Sequence, residues 1–294
     1  MLPETPIAAG LIDAHAGGIG SVGAKGGGGA EANLAYVFGT SSCTMTTTKD
    51  PVFVPGVWGP YYSAMVPGLW LNEGGQSAAG AAIDHLLEFH PHASEAHAEA
   101  ARDDQSLPAW LAGRVEMRLG RGRDASALAG NVHVVPEFLG NRAPHADPHT
   151  RAVIAGLGME RDLDSLIALY VAGLCGIGYG LRQIVEAQAK AGAPIERIVI
   201  SGGAGRSDMI RQLLADATSV EIAAPSAEEP VLLGSAILGS VAGGIHPDIH
   251  RAMEKMSTFS VRYQPQTGEV RQLHDARFNI FEQLQSVARQ AANR

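Results

Sequence analysis

Cysteine and aromatic residues are scarce in this chain. Its 294 residues include two cysteines, Cys43 and Cys175, and 5% aromatic residues. Two isolated cysteines form neither a disulfide framework nor a zinc site. They favour a cytoplasmic location, where a free thiol behaves as a small hydrophobic group. The rest of the composition, 46% hydrophobic and 18% charged, is typical of a globular protein with a sizeable core.

Clusters of positive charge are also missing. The formal net charge is -8, so we expect no binding to nucleic acid or to an anionic membrane surface. The first residues lack the basic and apolar regions of a signal peptide. Two uncharged runs, 166–181 and 230–245, are shorter than the about 20 residues that cross a bilayer, and they predict buried helices instead.

The common metal and nucleotide motifs are absent too. His85, His90, His92 and His97 belong to no HExxH pattern and have no cysteine partners, which predicts no metal site. The segment KGGGGA, residues 25–30, is not followed by the Gly-Lys-Ser/Thr of a P-loop. Its four consecutive glycines predict a flexible loop, which is the best candidate for a hinge between domains.

What is present begins with strand-like and helix-like segments in the first half. Residues 34–38 and 45–48 predict two strands, and the GTSS turn between them predicts a β-hairpin. The pattern further along predicts an ordered loop over 52–72, a helix over 77–89, a charged helical surface insertion over 93–121 and a short strand over 132–135.

The second half alternates helices and strands more clearly. The pattern predicts a helix from a cap at Asp164 or Ser165 to about 192, strands over 197–201 and 220–224 with a helix between them, and a last helix from a capping box at Ser226 to Gly243. This alternation predicts an α/β fold with a mainly parallel unit.

Two turns can hold a ligand. The segment SGGAGRSD, residues 201–208, joins a buried strand to a helix start, where glycines allow close approach and free N–H groups attract anions. An ordinary strand–helix turn explains the same residues. The turn FGTSSC, residues 38–43, offers hydroxyls and N–H groups to phosphate oxygens. Taken alone, it is better explained as a plain hairpin turn.

Asp13 is the candidate catalytic carboxylate. It lies in GLIDAHAGG, in a stretch over 1–23 that predicts a strand end and a glycine-rich loop. A carboxylate there can accept a proton from a substrate hydroxyl, and an N-cap or loop aspartate is the plain alternative. Gln76, Ser77 and Gly80 predict the start of the helix after WLNEGG, for which an ordinary capped helix is the alternative.

The order of these segments resembles that of the FGGY carbohydrate kinases. The matching stretches are GLIDAHAGGIG, GTSSC, VPGVWGPYYSAMVPGLWLNEGGQSAAG, FLGNRAPHADPHTRAVIAGL, LYVAGLCGIGYGLRQIVE, SGGAGRSDMIRQLLAD and EEPVLLGSAILG. The VPGVWGPYY to EGGQS stretch is most similar to pentulose kinases of the ribulokinase type. The resemblance implies an α/β, actin-like (ribonuclease-H-like) ATPase fold with this chain as its C-terminal lobe. Residues 1–30 then correspond to the end of the N-terminal lobe and the hinge, and 31–294 to the C-terminal kinase lobe.

The resemblance also implies roles for single residues. Asp13 matches the catalytic base, and Ala14 and His15 lie beside it near the sugar. The nucleotide positions are Gly39, Thr40 and Ser41 in the second phosphate-binding turn, Gly80 and Asp84 along the nucleotide, and Gly203 and Ser207 in the adenosine-binding turn. The implied cofactors are ATP and Mg²⁺, and the implied chemistry is in-line phosphoryl transfer.

The expected function is therefore phosphorylation of a ribulose-type pentulose, with D-xylulose and glycerol as alternative acceptors. The resemblance implies that the N-terminal lobe lies outside this chain. We expect weak or no activity from the chain alone unless a complementing lobe joins it, since one wall of the cleft cannot position both substrates. The alternative from another class is an inactive lobe that binds nucleotide or forms a homodimer.

Overall fold

A computed structural model describes residues 3–119 and 124–292 of the chain. The strands are β1 (Asn33–Phe38), β2 (Ser42–Thr48), β3 (Trp58–Tyr62), β4 (Trp70–Gln76), β5 (His133–Val135), β6 (Val153–Ala155), β7 (Arg197–Ser201), β8 (Glu221–Pro225) and β9 (Phe259–Tyr263). The helices are α1 (Asp13–Val22), α2 (Gly80–Glu88), α3 (Ala93–Arg102), α4 (Leu107–Leu119), α5 (Leu163–Lys190), α6 (Asp208–Thr218), α7 (Pro230–Ala242), α8 (Ile249–Met256) and α9 (Glu269–Ala292).

Seven strands form one mixed sheet in the order β3-β4-β2-β1-β7-β8-β9. Its centre, β1-β7-β8, is parallel, and the outer strands pair antiparallel. Strands β5 and β6 form a separate antiparallel pair. The predicted hairpin and the predicted parallel unit are both confirmed, and the fold is α/β as expected.

Helices cover both faces of the sheet because β1 is apolar on both sides. Leu34, Tyr36 and Phe38 point into the larger core, which they share with α2, α5 and α6. Ala35 belongs to the smaller core on the opposite face, with residues of α1, α7 and α8. A strand buried on both faces is typical of the centre of an α/β sheet.

Helix α5 is the central helix of the larger core. Its 28 residues include a stretch long and apolar enough to cross a membrane, but 78% of that stretch is buried inside the protein. The helix begins at a capping box in which Asp162 and Ser165 bond reciprocally, two residues before the predicted Asp164. The prediction of a buried helix over 166–181 is confirmed.

The predicted loop over 1–23 is wrong in its second half, where α1 forms. A Cβ atom on Gly20 would lie 2.1 Å from the Pro230 carbonyl oxygen, and one on Gly234 would lie 1.8 Å from the Ala16 carbonyl oxygen. Only glycine permits this approach, so α1 and α7 pack backbone to backbone. Tertiary packing thus overrides the low helix propensity of glycine.

The predicted ordered loop over 52–72 is also partly wrong, because it contains β3 and the start of β4. Pro60 is compatible with β3 because an edge strand does not need every N–H for the ladder. Gln76 closes β4, and the following helix begins at Gly80 rather than at the predicted Ser77.

Two further local predictions need correction. The capping box at Ser226 does not form, because α7 starts at Pro230 with Glu229 as an N-cap that makes no side-chain bond. Ser226 bonds to Thr258 instead. The glycine loop over 25–30 is held at its base, where the Asn33 side-chain nitrogen lies within 2.8 Å of three carbonyl oxygens. The domain division at residue 30 stays a prediction.

Candidate active site

A cleft of about 860 Å³ lies where three parallel strands end. The carboxyl ends of parallel strands are the usual ligand site of open α/β sheets. The turns that follow β1, β7 and β8 line the cleft, together with the first turn of α1. The lining residues include Asp13, Ala14, 39–41, 201–203, 205–206 and 225–231.

Asp13 is the first residue of α1 and is exposed to the cleft. One oxygen of its carboxylate accepts a hydrogen bond from the Ala14 N–H at 2.7 Å. The described residues that line the cleft do not include His15. The imidazole Nε2 of His15 instead lies 3.2 Å from a carboxylate oxygen of Glu73 on β4. The roles predicted for Asp13, Ala14 and His15 stay predictions; Asp13 and Ala14 line the cleft.

The hairpin turn Gly39-Thr40-Ser41 lines the cleft and is fixed from behind by α2. The N–H of Gly80 donates to the Gly39 carbonyl at 2.9 Å, and the N–H of Ala79 donates to the Thr40 carbonyl at 2.9 Å. A Cβ on Gly80 would lie 2.8 Å from the Gly39 carbonyl oxygen. Gly80 therefore supports the turn through close backbone packing.

The glycine turn after β7 has the backbone that its sequence predicts. Gly202 has a φ of 96°, and a Cβ there would lie 2.5 Å from the Phe38 carbonyl oxygen. A Cβ on Gly203 would meet no heavy atom within 4 Å among the described residues, apart from its chain neighbours. Ser207 caps α6 by accepting from the Ile210 N–H at 3.4 Å.

A second cavity of about 570 Å³ adjoins the cleft, and both are lined by Gly203 and Arg206. Four residues that the sequence predicts at the nucleotide meet in this cavity: Gly80, Asp84, Gly203 and Ser207. They come from α2 and from the turn before α6, far apart in the sequence. The structure therefore places the predicted catalytic and nucleotide residues in two neighbouring cavities that share Gly203 and Arg206.

Sequence reasoning missed the side chains that complete this cavity. Tyr170 is buried, and its hydroxyl has no hydrogen-bond partner among the described residues. Burial raises the pKa of Tyr170, and the charges of Glu116 and Asp84 add to that rise. Glu116 also accepts a hydrogen bond from the Ser207 hydroxyl at 3.3 Å. Partial desolvation likewise raises the pKa of Asp84, against the opposing charge of His97.

The predicted surface insertion over 93–121 is therefore more than a surface feature. It forms α3 and α4, and Leu107, Trp110 and Leu111 of α4 are buried in the larger core. The opposite side of α4 carries Glu116 into the cavity wall. Residues 120 and 121 of this prediction lie outside the described residues.

Charges of both signs line the main cleft. Arg206 is exposed where the two cavities meet, and its guanidinium lies 3.8 Å from a Glu229 carboxylate oxygen. Arg211 braces the glycine turn by donating to the Gly205 carbonyl at 2.7 Å. The carboxylates that line the cleft, including Asp13 and Glu229, are hard oxygen donors of the kind that Mg²⁺ prefers.

A second group of polar residues surrounds Cys43, which lines the cleft beside Asp13. The Arg142 guanidinium lies 3.9 Å from the Cys43 sulfur and 5.7 Å from the centre of the Trp58 ring. Burial raises the pKa of the Cys43 thiol; Arg142 opposes this, and Glu73 and Asp13 add to it. Glu73 and Arg142 were not singled out from the sequence, although both lie in the stretches that carried the family resemblance; among the described residues, neither is part of the cleft lining.

Comparison with known proteins decides the family. The family model for the C-terminal domain of the FGGY family of carbohydrate kinases matches residues 34–243. The chain belongs to the FGGY family of carbohydrate kinases. Its central sheet, covered by helices on both faces, is the actin-like fold that the family resemblance predicts.

Individual relatives agree with this FGGY assignment. The chain is 41% identical over 294 residues to an FGGY carbohydrate kinase domain-containing protein of Xenopus laevis, covering 97% of this chain and 53% of that protein. It is 36% identical over 257 residues to a D-ribulokinase of Saccharomyces cerevisiae, covering 80% and 36%. A crystal structure of Plasmodium falciparum glycerol kinase with ADP superposes with a TM-score of 0.69 at 18% identity, covering 93% and 50%. The chain thus spans about half the length of most curated relatives it matches, and less of the yeast D-ribulokinase.

Proposed function

We propose that this FGGY chain is part of an ATP-dependent kinase that phosphorylates a hydroxyl of a ribulose-type pentulose. One observation carries the proposal: Asp13, the turn over 39–41 and the glycine turn at Gly203 line one cleft, which shares Gly203 and Arg206 with the cavity of Asp84 and Ser207. The D-ribulokinase name of the yeast relative supports the choice of acceptor. The alternative acceptors, D-xylulose and glycerol, are distinguished by experiment below.

The nucleotide is proposed to lie across both cavities. The smaller cavity takes the adenosine, and the phosphates run past Gly203 towards the hydroxyls of Thr40 and Ser41. Arg206, at the junction, supplies positive charge to the phosphates. Mg²⁺, bound with the nucleotide near Asp13 and Glu229, would neutralise phosphate charge. The ADP bound to the Plasmodium glycerol kinase supports an adenine nucleotide here.

Asp13 is proposed as the general base. The sugar hydroxyl oxygen forms a bond to the γ-phosphorus while the bond to the β-phosphate oxygen breaks, and the hydroxyl proton passes to the Asp13 carboxylate. The products are a sugar phosphate and ADP. The hydrogen bond from Ala14 to one carboxylate oxygen fixes the orientation of the base.

The sugar is proposed to lie beside Asp13 against Glu73 and Arg142. A carboxylate accepts hydrogen bonds from sugar hydroxyls, and a guanidinium donates to them. His15 contributes by holding Glu73 through its Nε2, at 3.2 Å. This arrangement gives His15, predicted near the sugar, a positioning role.

A coupled ADP-release assay tests the proposal. The 294-residue chain is assayed with D-ribulose, L-ribulose, D-xylulose and glycerol, and Asp13→Asn serves as the matched control. From the chain alone we expect at most slow ADP release, with one pentulose, and we expect Asp13→Asn to slow that release by a further about 10²–10⁴-fold, the usual contribution of a general base. Calorimetric titration with ATP should give the same affinity for both proteins.

Two outcomes would contradict the proposal. If ATP binds and no acceptor releases ADP, the chain is a nucleotide-binding lobe, which is the alternative function. If Asp13→Asn turns over at the rate of the unmodified chain, another group takes the proton.

A further inference from the structure

Three ionisable side chains meet in the interior on elements outside the cleft. Asp124 precedes the 3-10 turn Ala125–Ala129, Asp216 lies in the last turn of α6, and His274 lies on α9. Each offers a ligand atom, and these atoms lie within 4.8 Å of one another. The exposed fractions of the three residues are 9%, 2% and 0%.

His274 has one nitrogen engaged and one unpaired. Its Nδ1 lies 3.0 Å from the Tyr179 hydroxyl. Its Nε2 has no hydrogen-bond partner among the described residues, and the Asp124 carboxylate oxygen is 3.5 Å away, at the far limit for a hydrogen bond. When Nδ1–H donates to the Tyr179 oxygen, the Nε2 lone pair points at the carboxylates. Metal-binding histidines are commonly held in this way by their second nitrogen.

Both carboxylates are oriented by donors from their own surroundings. Asp124 accepts from the N–H of Ser126 at 3.0 Å and from its hydroxyl. Asp216 accepts from the Gln266 N–H at 2.7 Å and from the Gln212 side chain at 3.0 Å. Two buried carboxylates side by side need a compensating positive charge.

The neighbouring arginine directs its hydrogen bonds elsewhere. Arg277, one turn along α9, is buried, and its terminal nitrogens donate to the carbonyl oxygens of Gly130 at 2.7 Å and Val132 at 2.5 Å. Its guanidinium therefore ties α9 to the segment before β5. Among the described residues, these hydrogen bonds of Arg277 go to neither Asp124 nor Asp216.

We propose that Asp124, Asp216 and His274 form a structural binding site for a divalent transition-metal ion of the Zn²⁺ type. One imidazole and two carboxylates are ordinary zinc ligands, at about 2.0–2.2 Å. Mg²⁺ is disfavoured because it prefers an octahedral set of oxygen ligands. The ion would join α9 to α6 and to the segment at residue 124. It is independent of the proposed kinase chemistry.

Zinc retention tests the proposal directly. The chain is stripped with a chelator and dialysed against Zn²⁺, bound zinc is measured by mass spectrometry, and thermal unfolding is recorded with and without zinc. We expect one tightly held zinc per chain and a higher Tm in its presence. His274→Gln and Asp216→Asn should lose both effects. His250→Gln removes an exposed imidazole elsewhere and should keep both.

The controls separate loss of the ligand from loss of the fold. Circular dichroism shows whether each variant folds. If His274→Gln does not fold, the test uses Asp216→Asn and Co²⁺ binding by the unmodified chain instead. Co²⁺ held by an imidazole and carboxylates gives visible absorption that Zn²⁺ should displace. The proposal is overturned if the unmodified chain retains no zinc and gives no such absorption, or if folded variants retain zinc as the unmodified chain does.

Discussion

We propose that the Tyr170 hydroxyl helps to bind the nucleotide, although its burial destabilises the folded protein. It lies in the wall of the smaller cavity, buried and without a hydrogen-bond partner among the described residues. A buried hydroxyl without a partner destabilises the folded protein. A nucleotide base in the cavity would supply the missing partner only after a movement of the wall that exposes this hydroxyl, and Asp84 and Glu116 beside it can accept from an exocyclic amino group.

Tyr170→Phe should therefore change binding and stability in opposite directions. We expect ATP affinity to fall about 2- to 12-fold, the equivalent of one hydrogen bond of about 0.5–1.5 kcal/mol. The Tm without nucleotide should stay the same or rise. Calorimetry and thermal unfolding measure the two effects. Tyr62→Phe, on the exposed edge strand β3, should change neither, and a lower Tm with unchanged ATP affinity in Tyr170→Phe would contradict this assignment.

Single residues were predictable where a local motif carries them. Gly39 and Gly203 lie in turns, and Asp13 begins a helix, in segments that the sequence marks with glycine, hydroxyl or carboxylate groups. Glu116 and Tyr170 lie in ordinary helical sequence, and only the packing of α4 and α5 beside α6 brings them to Ser207. The proposed metal ligands are likewise far apart along the chain: Asp124, Asp216 and His274. They form no spacing pattern, so a metal-binding motif such as HExxH could not identify them.

Among the elements, α1 and α7 show most clearly how glycine supports function. Their contact requires Gly20 and Gly234, and it positions α1, which begins with Asp13. A side chain at Gly234 would force the two helices apart.

Gly234→Ala should accordingly lower the free energy of unfolding by about 1–3 kcal/mol, the usual cost of overpacking. Gly239→Ala is the matched control on the same helix, since a Cβ there meets nothing within 4 Å. It should raise stability by about 0.5–1 kcal/mol through better helix propensity. Urea unfolding measures both, and equal effects of the two substitutions would refute the packing argument.

Elements with strong periodicity were predicted well, and those defined by packing were not. Helix α5 and strands β1, β2, β7 and β8 follow from apolar runs and their caps. Helix α1 was missed because its glycines indicate a loop to any local rule, and β3 was missed because of Pro60 and its neighbours. No element was predicted after Gly243, where α8, β9 and α9 form.

For the whole molecule, one buried and two half-buried histidines make the free energy of unfolding depend on pH. Burial lowers the pKa of His90, His133 and His145 below the ordinary value of 6.5, and Arg289 adds to the effect at His145. As the pH falls below 6.5, the unfolded chain therefore binds more protons than the folded chain. The contribution of these neutral histidines to the free energy of unfolding is fully present above pH 6.5 and is lost below it.

We expect the urea midpoint of unfolding to fall as the pH drops from 6.5 towards the lowered pKa values of these histidines. His145→Gln should reduce this dependence while keeping a polar neighbour for Gln285, which lies 3.1 Å from Nε2. The exposed His250→Gln should keep the dependence of the unmodified chain. An unchanged slope in His145→Gln would show that Glu137 and Asp147, which oppose the shift, balance the burial.

The wall formed by α4 has a consequence for how this scaffold can diversify. Helix α4 and the residues just before it form part of the wall of the cavity proposed for the nucleotide base. The aspartate proposed to take the proton is anchored elsewhere, by the glycine contact between α1 and α7. The proposed roles would place nucleotide-donor choice and proton transfer in separate segments of the chain. Under that proposal, exchanging residues 93–119 between relatives would change the nucleotide donor and leave α1 intact.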